Sequence, residues 1–445
     1  MALWIKNPLA ILADGAGGGL VVEGTRIVEL VPAGKQPQHP FTATFDADRH
    51  VVLPGLINTH HHFYQTLTRA VPGAIGEELF GWLTTLYPIW ARLTPEALRL
   101  GVRVAMAELM LSGCTTTTDH HYVFPGGLED AVDIEVEEAR SLGLRVVLTR
   151  GSMNLSVADG GLPPEAVVQD HDTILADSER VIDAHHERGE GAMVQIALAP
   201  CSPFSVTRGL MADTARLAER EGVLLHTHLA ETADEEAFCL ETFGHRPLDY
   251  LDDVGWLNDT VWLAHGIHFD DGELSRLAKA GTAITHCPCS NMVLASGQCR
   301  VLEMEQVGGI VGLGVDGSAS QDASNLIQEV RQALLIQRLQ YGAAKVDHRA
   351  ALRWGTEGSA ACLRRPDLGS ITVGKQADLA MFTLDELRFS GHGDPMAALV
   401  HCGAHRADRV MVAGRWTVED GAIPGLDVRS LMEAHQAAAW TLQGH

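Results

Sequence analysis

The stretch PGLINTHHHFYQTLTR, residues 54–69, sets a short apolar run directly before three consecutive histidines. In an extended strand, successive side chains point to opposite faces, so residues two apart share a face. His60 and His62 therefore point the same way and His61 the other, buried against a helix with its nitrogens satisfied. Two imidazoles converging from one strand end are a natural chelate for a metal.

The same pattern recurs along the chain. Eight apolar or β-branched runs, at residues 51–60, 114–121, 145–152, 193–201, 223–231, 261–268, 282–290 and 310–318, alternate with amphipathic stretches. One of these is TPEALRLGVRVAMAELMLSG (94–113), with a threonine N-cap and a closing glycine. Strand and helix repeated eight times predict a (β/α)8 barrel, whose strands are buried on both faces and read as apolar runs. Histidine, aspartate, cysteine and glutamate collect at the C-terminal ends of the runs, the face on which such barrels build active sites. Residues 51–369 are assigned to this barrel. The two chain ends have another texture, short alternating strands broken by glycine, with VAGR (412–415) as a hairpin tip. Residues 1–50 and 370–425 are expected to fold together as a small β-sandwich, followed by a helical tail over 426–445.

Composition limits the function classes. The chain has 445 residues, is 46% hydrophobic and carries a formal net charge of −24, which disfavours a polynucleotide partner but allows a small neutral ring. No stretch approaches the ~18 apolar residues of a membrane helix, and the first residues lack the long apolar core and small-residue cleavage site of a secretory signal. With only eight scattered cysteines, reduced thiols and a cytoplasmic location are expected.

HTHLAE (226–231) repeats the opening geometry: His226 and His228 share a face and Glu231 follows. His265 closes the sixth run and Asp316 the eighth. Two histidines, a third histidine and an aspartate from strands one, five and eight make a mixed nitrogen and oxygen set suited to Zn²⁺ or Fe²⁺, with a position left for water. Deeper by one layer than His228, His226 is expected to fill the barrel or support a ligand.

PGLINTHHH, HTHLAE, LAHGIH, HCPCSN and GLGVDGSAS, in this order, resemble the amidohydrolase superfamily, in particular its branch of cytosine deaminase-like aminohydrolases and triazine hydrolases. GSITVGKQADLAMF extends the likeness into the C-terminal strands. The resemblance implies one divalent metal on His60, His62, His228 and Asp316, with Glu231 as proton shuttle and His265 and Asp316 acting on the attacking water. Members with two metals place a carboxylated lysine after strand four. This chain's five lysines all lie elsewhere. His286, Cys287 and Cys289 lack the repeated Cys-x-x-Cys spacing of a structural zinc site.

The implied reaction is hydrolytic deamination of an amino-substituted heterocycle by a homo-oligomeric enzyme. HHHFYQTLTR, RGSMNLSVADGGLPPE, LAPCSPFSVT and GVDGSASQD are most similar to segments of bacterial 8-oxoguanine deaminases, which implies conversion of 8-oxoguanine to urate and ammonia. A triazine hydrolase and a pterin or guanine deaminase are the adjacent alternatives; a barrel kept only for binding would need degraded ligands, and all are present. Gln65, Cys201, Ser318, Ser320 and Gln321 are expected to contact the ring. His268 lines the pocket or caps a loop, and His286 bonds near the pocket or touches substrate. Cys289 and Gln321 depart from the residues more usual at their positions.

Overall fold

Eight parallel strands run in sequence order around the centre of the computed structural model, which describes residues 2–321 and 323–445. They are Leu56–Asn58, Cys114–His121, Arg145–Ser152, Val194–Pro200, Leu225–Leu229, Val261–His265, Ala283–His286 and Val311–Leu313. The first and eighth meet through Thr59 N–H donating to Leu313 C=O (3.0 Å), Val315 N–H to the Asn58 side-chain oxygen (2.9 Å) and Asp316 N–H to His60 C=O (3.0 Å). The chain is thus a (β/α)8 barrel. Its helices cover the outside with their apolar stripes inward. The helix Pro95–Leu111 starts where Thr94 accepts a hydrogen bond from Ala97 N–H and ends before Gly113, whose φ of +94° suits glycine.

The run at 51–60 does not form one strand. His50–Pro54 pairs antiparallel with Leu379–Thr383 in a terminal sheet, and the barrel strand begins only at Leu56. Gly55 makes the transfer: a Cβ there would lie 2.0 Å from Thr115 Oγ1, so only glycine passes this close to the second barrel strand. The last four strands are also shorter than their apolar runs, because the chain leaves the sheet to build the mouth; CPCS, for example, leads into a short helix, Pro288–Val293.

Strands from both chain ends form two further sheets. Arg26–Val31, Gly19–Glu23, Ala2–Lys6 and Ala43–Asp46 make the first; Arg415–Val418, Arg409–Val412, Leu379–Thr383, His50–Pro54 and Ala10–Ile11 make the second. Ile5, Leu20, Val22, Val52, Leu379 and Met381 form the core between them. Ala413 and Gly414, both at positive φ, turn the VAGR hairpin. Arg145, at the start of the third barrel strand, meets Asp378 in a buried two-point ion pair that ties this body to the barrel. The tail helix Val428–Gln443 lies against Pro95–Leu111 and the turn that follows the first barrel strand. Among the described residues, no helix is long and apolar enough to cross a membrane.

Candidate metal centre and active site

Beyond Asn58 the backbone stays extended, with His62 at φ −134° and ψ 91°, so the strand alternation continues through the histidine triplet. His60 and His62 turn into the barrel mouth. His61 turns outward, where its Nε2 meets Ser324 Oγ at 2.8 Å; among the described residues its Nδ1 has no partner. His226 and His228 enter from the fifth strand. His265, the last residue of the sixth strand, and Asp316, just after the eighth, have φ of +70° and +64°. A left-handed conformation costs a non-glycine residue roughly 1–2 kcal/mol and is retained where surrounding structure over-determines it. Here it swings both side chains towards the histidines.

Hydrogen bonds fix the tautomers. His226 Nδ1–H donates to Trp262 C=O (2.7 Å), leaving Nε2 to accept from His60 Nδ1–H (2.8 Å). His62 Nδ1–H donates to His120 C=O and His228 Nδ1–H to Cys201 C=O, both at 2.7 Å. Burial holds His60 well below the ordinary histidine range despite the nearby Asp316 carboxylate; burial and then the other imidazoles do so for His228. Three Nε2 lone pairs therefore face one another.

His62 Nε2 lies 3.2 Å from His228 Nε2, and Asp316 Oδ1 is 3.3 Å and 3.2 Å from the Nε2 atoms of His60 and His62. Lone pairs this close, with no proton between them, repel unless a cation lies among them. Their spacing also matches the edges of a tetrahedron whose corners are ~2.0 Å from its centre, the usual zinc–nitrogen distance. The four side chains can hold one divalent transition metal.

Glu231 and His265 stand beside this cluster. His265 Nε2 is 3.5 Å from Glu231 Oε2 and 3.8 Å from Asp316 Oδ2, and its Nδ1 donates to Asn291 Oδ1 (3.0 Å). Burial alone would lower His265, but Glu231 and Asp316 overcome it and hold the imidazole above its ordinary value. Burial raises the Glu231 carboxyl, with His265 opposing. Glu235 fixes the turn: its two carboxyl oxygens accept Ala230 N–H and Glu231 N–H, each at 2.9 Å. The arrangement can hold a proton on Glu231 or His265 next to a nucleophile at the metal position.

A pocket opens onto these groups; Gln65, Cys201 and Ser320 line it with His62, His228, Glu231, His265 and Asp316. Gln65 is fully buried, and neither amide atom has a hydrogen-bond partner among the described residues. Its amide lies against Gly317, where a Cβ would sit 1.9 Å from Oε1, so glycine beside Asp316 makes room for it.

The structure does not bring the other four expected contacts to the cavity wall. Ser318 Oγ bonds Ser324 Oγ, and Gln321 turns back to Ala323 N–H and Glu329, because the chain after Gly317 coils into a short helix. His268 ties its loop to Ser296 C=O (3.0 Å), and His286 packs behind the seventh strand against Gln337.

Two features were missed from sequence. His120 stacks on His228 with ring centroids 4.7 Å apart and planes at 17°, placing its carbonyl under His62; its place in the inward-facing alternation of CTTTTDHH was the available signal. The helix Leu79–Trp90 covers the cavity with Leu79, Trp82, Leu83 and Tyr87, and its first turn is held by Trp82 Nε1–H to Ala319 C=O and by Phe80 against Phe204. Its apolar residues run almost all around, the mark of a helix buried on more than one side.

Comparison with known proteins agrees with this architecture. The model of the amidohydrolase family matches residues 51–417. The chain is 62% identical to an 8-oxoguanine deaminase of Pseudomonas aeruginosa over 99% of this chain and 98% of that protein. It is 37% identical to a hydroxydechloroatrazine ethylaminohydrolase of Pseudomonas sp. strain ADP, covering 86% of this chain and 80% of that one. Among solved structures, an atrazine chlorohydrolase from Arthrobacter aurescens TC1 complexed with zinc superposes with a TM-score of 0.92 at 30% identity, over 98% of this chain and all of the other. On the match over the barrel and the identity along nearly the whole length, the chain belongs to the amidohydrolase family.

Proposed function

We propose that the protein is a metal-dependent aminohydrolase that converts 8-oxoguanine and water to urate and ammonia, with one Zn²⁺ held by His60, His62, His228 and Asp316. Fe²⁺ suits the same donors. Zinc in the Arthrobacter relative and the tetrahedral spacing of the donors support the metal. The 62% identity to the Pseudomonas deaminase supports the substrate. One geometric observation carries the reading: Gln65 lines the cavity that holds the metal donors and Glu231, and neither half of its amide has a hydrogen-bond partner among the described residues. An amide offers one donor and one acceptor side by side, the complement of a ring carbonyl next to a ring N–H.

When bound, the metal supplies Lewis acidity that makes water nucleophilic near neutral pH. Glu231 accepts the proton that the attacking water releases and delivers it to the ring nitrogen beside C2. Oxygen adds to C2, a second proton reaches the exocyclic nitrogen, and the C2–N bond breaks to release ammonia and leave the new carbonyl of urate. His265, held by Asn291 and flanked by Glu231 and Asp316, orients the nucleophile and takes part in this proton movement. An intact Glu231 favours an amine over chloride as leaving group, because chloride departs without a proton.

The same reading makes the protein a cytoplasmic homo-oligomer that acts on a small heterocycle and not on a polynucleotide. Val428, Met432 and Trp440, all exposed on the tail helix, support self-association, which light scattering measures. The functional test compares urate release from 8-oxoguanine with turnover of guanine, isoxanthopterin and hydroxyatrazine by metal-loaded enzyme. The proposal fails if no urate forms or if another of the four is processed more efficiently.

A further inference from the structure

Outside the barrel, behind the second strand, Asp119, His121 and Glu135 form a fully buried cluster that the mechanism does not use. Glu135 comes from the helix Ala131–Leu142, and the three side chains bring potential ligand atoms within 4.8 Å of one another. His121 Nε2–H donates to Val123 C=O (2.8 Å), so its Nδ1 is a lone pair, and this faces Glu135 Oε1 at 3.2 Å. Burial pushes the Glu135 carboxyl up to about 8 and the His121 imidazole down to about 4, which leaves the proton between them on Glu135. Burial, then the neighbouring Glu135, hold Asp119 well above the usual carboxylate range. Groups this close and this deeply buried are tolerated when the set as a whole is neutral.

Asp119 links the cluster to the turn after the first barrel strand. Asp119 Oδ1 accepts Phe63 N–H at 2.5 Å. Phe63 opens the short helix Phe63–Thr68, whose preceding residue, His62, makes no side-chain cap. Asp119 supplies that cap from another strand. On the inner face of the same strand, His120 C=O accepts His62 Nδ1–H at 2.7 Å. Adjacent residues 119 and 120 thus grip adjacent residues 62 and 63, one bond on each face. The gripped turn carries a metal donor and, three residues on, Gln65.

We propose that Asp119, backed by Glu135 and His121, is a positioning residue that directs His62 into the metal donor set and Gln65 into the cavity. This rests on the metal reading above, and its test reads metal affinity apart from turnover. Asp119→Ala leaves Phe63 N–H buried and unpaired, whereas Asp119→Asn keeps an acceptor for it and a donor towards Glu135. Zn²⁺ affinity is measured by competition with a chromophoric chelator, alongside thermal unfolding of the metal-free proteins.

Asp119→Ala is expected to weaken Zn²⁺ binding ~10–100-fold, the usual effect of losing a group that orients a ligand, and to raise KM for 8-oxoguanine. Asp119→Asn is expected to stay within about threefold of the parent, because its bond to Phe63 persists. The proposal is overturned if Asp119→Ala binds Zn²⁺ like the parent and only unfolds earlier, or if asparagine is as damaging as alanine. Should the alanine variant not fold, Glu135→Leu removes the next link and is expected to weaken Zn²⁺ binding severalfold; unchanged affinity there also overturns it. A parent protein that binds no Zn²⁺ overturns the metal reading and this proposal together.

Discussion

Replacing Gln65 by leucine separates substrate recognition from metal chemistry. The two side chains are close in size, the residue is fully buried, and its amide makes no hydrogen bond among the described residues, so the folded protein loses little. The ring loses two partners. Each buried donor or acceptor left facing leucine costs about 1–3 kcal/mol, so the pair costs about 2–6 kcal/mol. At 1.4 kcal/mol per tenfold, kcat/KM for 8-oxoguanine should fall by at least roughly 30-fold. The assay follows urate by absorbance under subsaturating substrate, with metal content measured on the same samples. Loss of an interaction made equally in ground and transition states appears in KM, and one made only in the transition state appears in kcat. A fall of less than tenfold at full metal occupancy refutes the role given to this amide.

Glu231→Gln should retain metal and lose ~10²–10⁴-fold in turnover, since the amide keeps the shape but moves no proton; activity within tenfold of the parent removes Glu231 from the mechanism. Individually, His60→Ala, His228→Ala and Asp316→Ala should lose the metal, because each takes away one of four donors; elemental analysis showing full occupancy contradicts the assignment. His265→Ala should keep the metal and lose turnover, and loss of metal instead would make it a ligand. Glu135, raised from 4.5 in the unfolded chain to about 8 in the fold, binds its proton more tightly when folded. Its contribution to stability is full below pH 4.5 and is lost as pH rises towards 8. Glu135→Gln should therefore lose less stability than the parent between pH 6 and pH 9 in denaturant unfolding of the metal-loaded proteins, and equal losses refute the shift.

Much of the site was legible because strand geometry is periodic. The pairing of His60 with His62, and of His226 with His228, follows from alternation, and the backbone stays extended just long enough for the rule to hold through His62. Pro54-Gly55 signals the exchange of sheets at Gly55, but apolar residues on both sides of it give 51–60 the texture of one strand. Ser318 and Gln321 escaped the cavity because left-handed Asp316 redirects the chain, a choice of backbone that no spacing rule reveals. His268 and His286 sit at or just beyond strand ends, yet their directions depend on partners far away in sequence, Ser296 in a loop and Gln337 on the helix Leu326–Tyr341. The covering helix Leu79–Trp90 was similarly out of reach: its apolar residues show that it is buried, not what it is buried against.

The seam between the first and eighth barrel strands has a topological consequence. Val315 and Asn58, bonded across it, are 257 residues apart in sequence, and His60 and Asp316 flank the same junction. On the proposed ligand set, a metal shared by those two side chains would act as a clasp on a very large ring of chain. Closing such a ring removes conformational freedom from the opened state, and the cost of closure grows only with the logarithm of ring size. Chelation should then loosen the protein locally, with the backbone amides of Thr59, Val315 and Asp316 exchanging hydrogen sooner while strands two to four remain protected. The catalytic ion and the last stitch of the barrel would be one and the same.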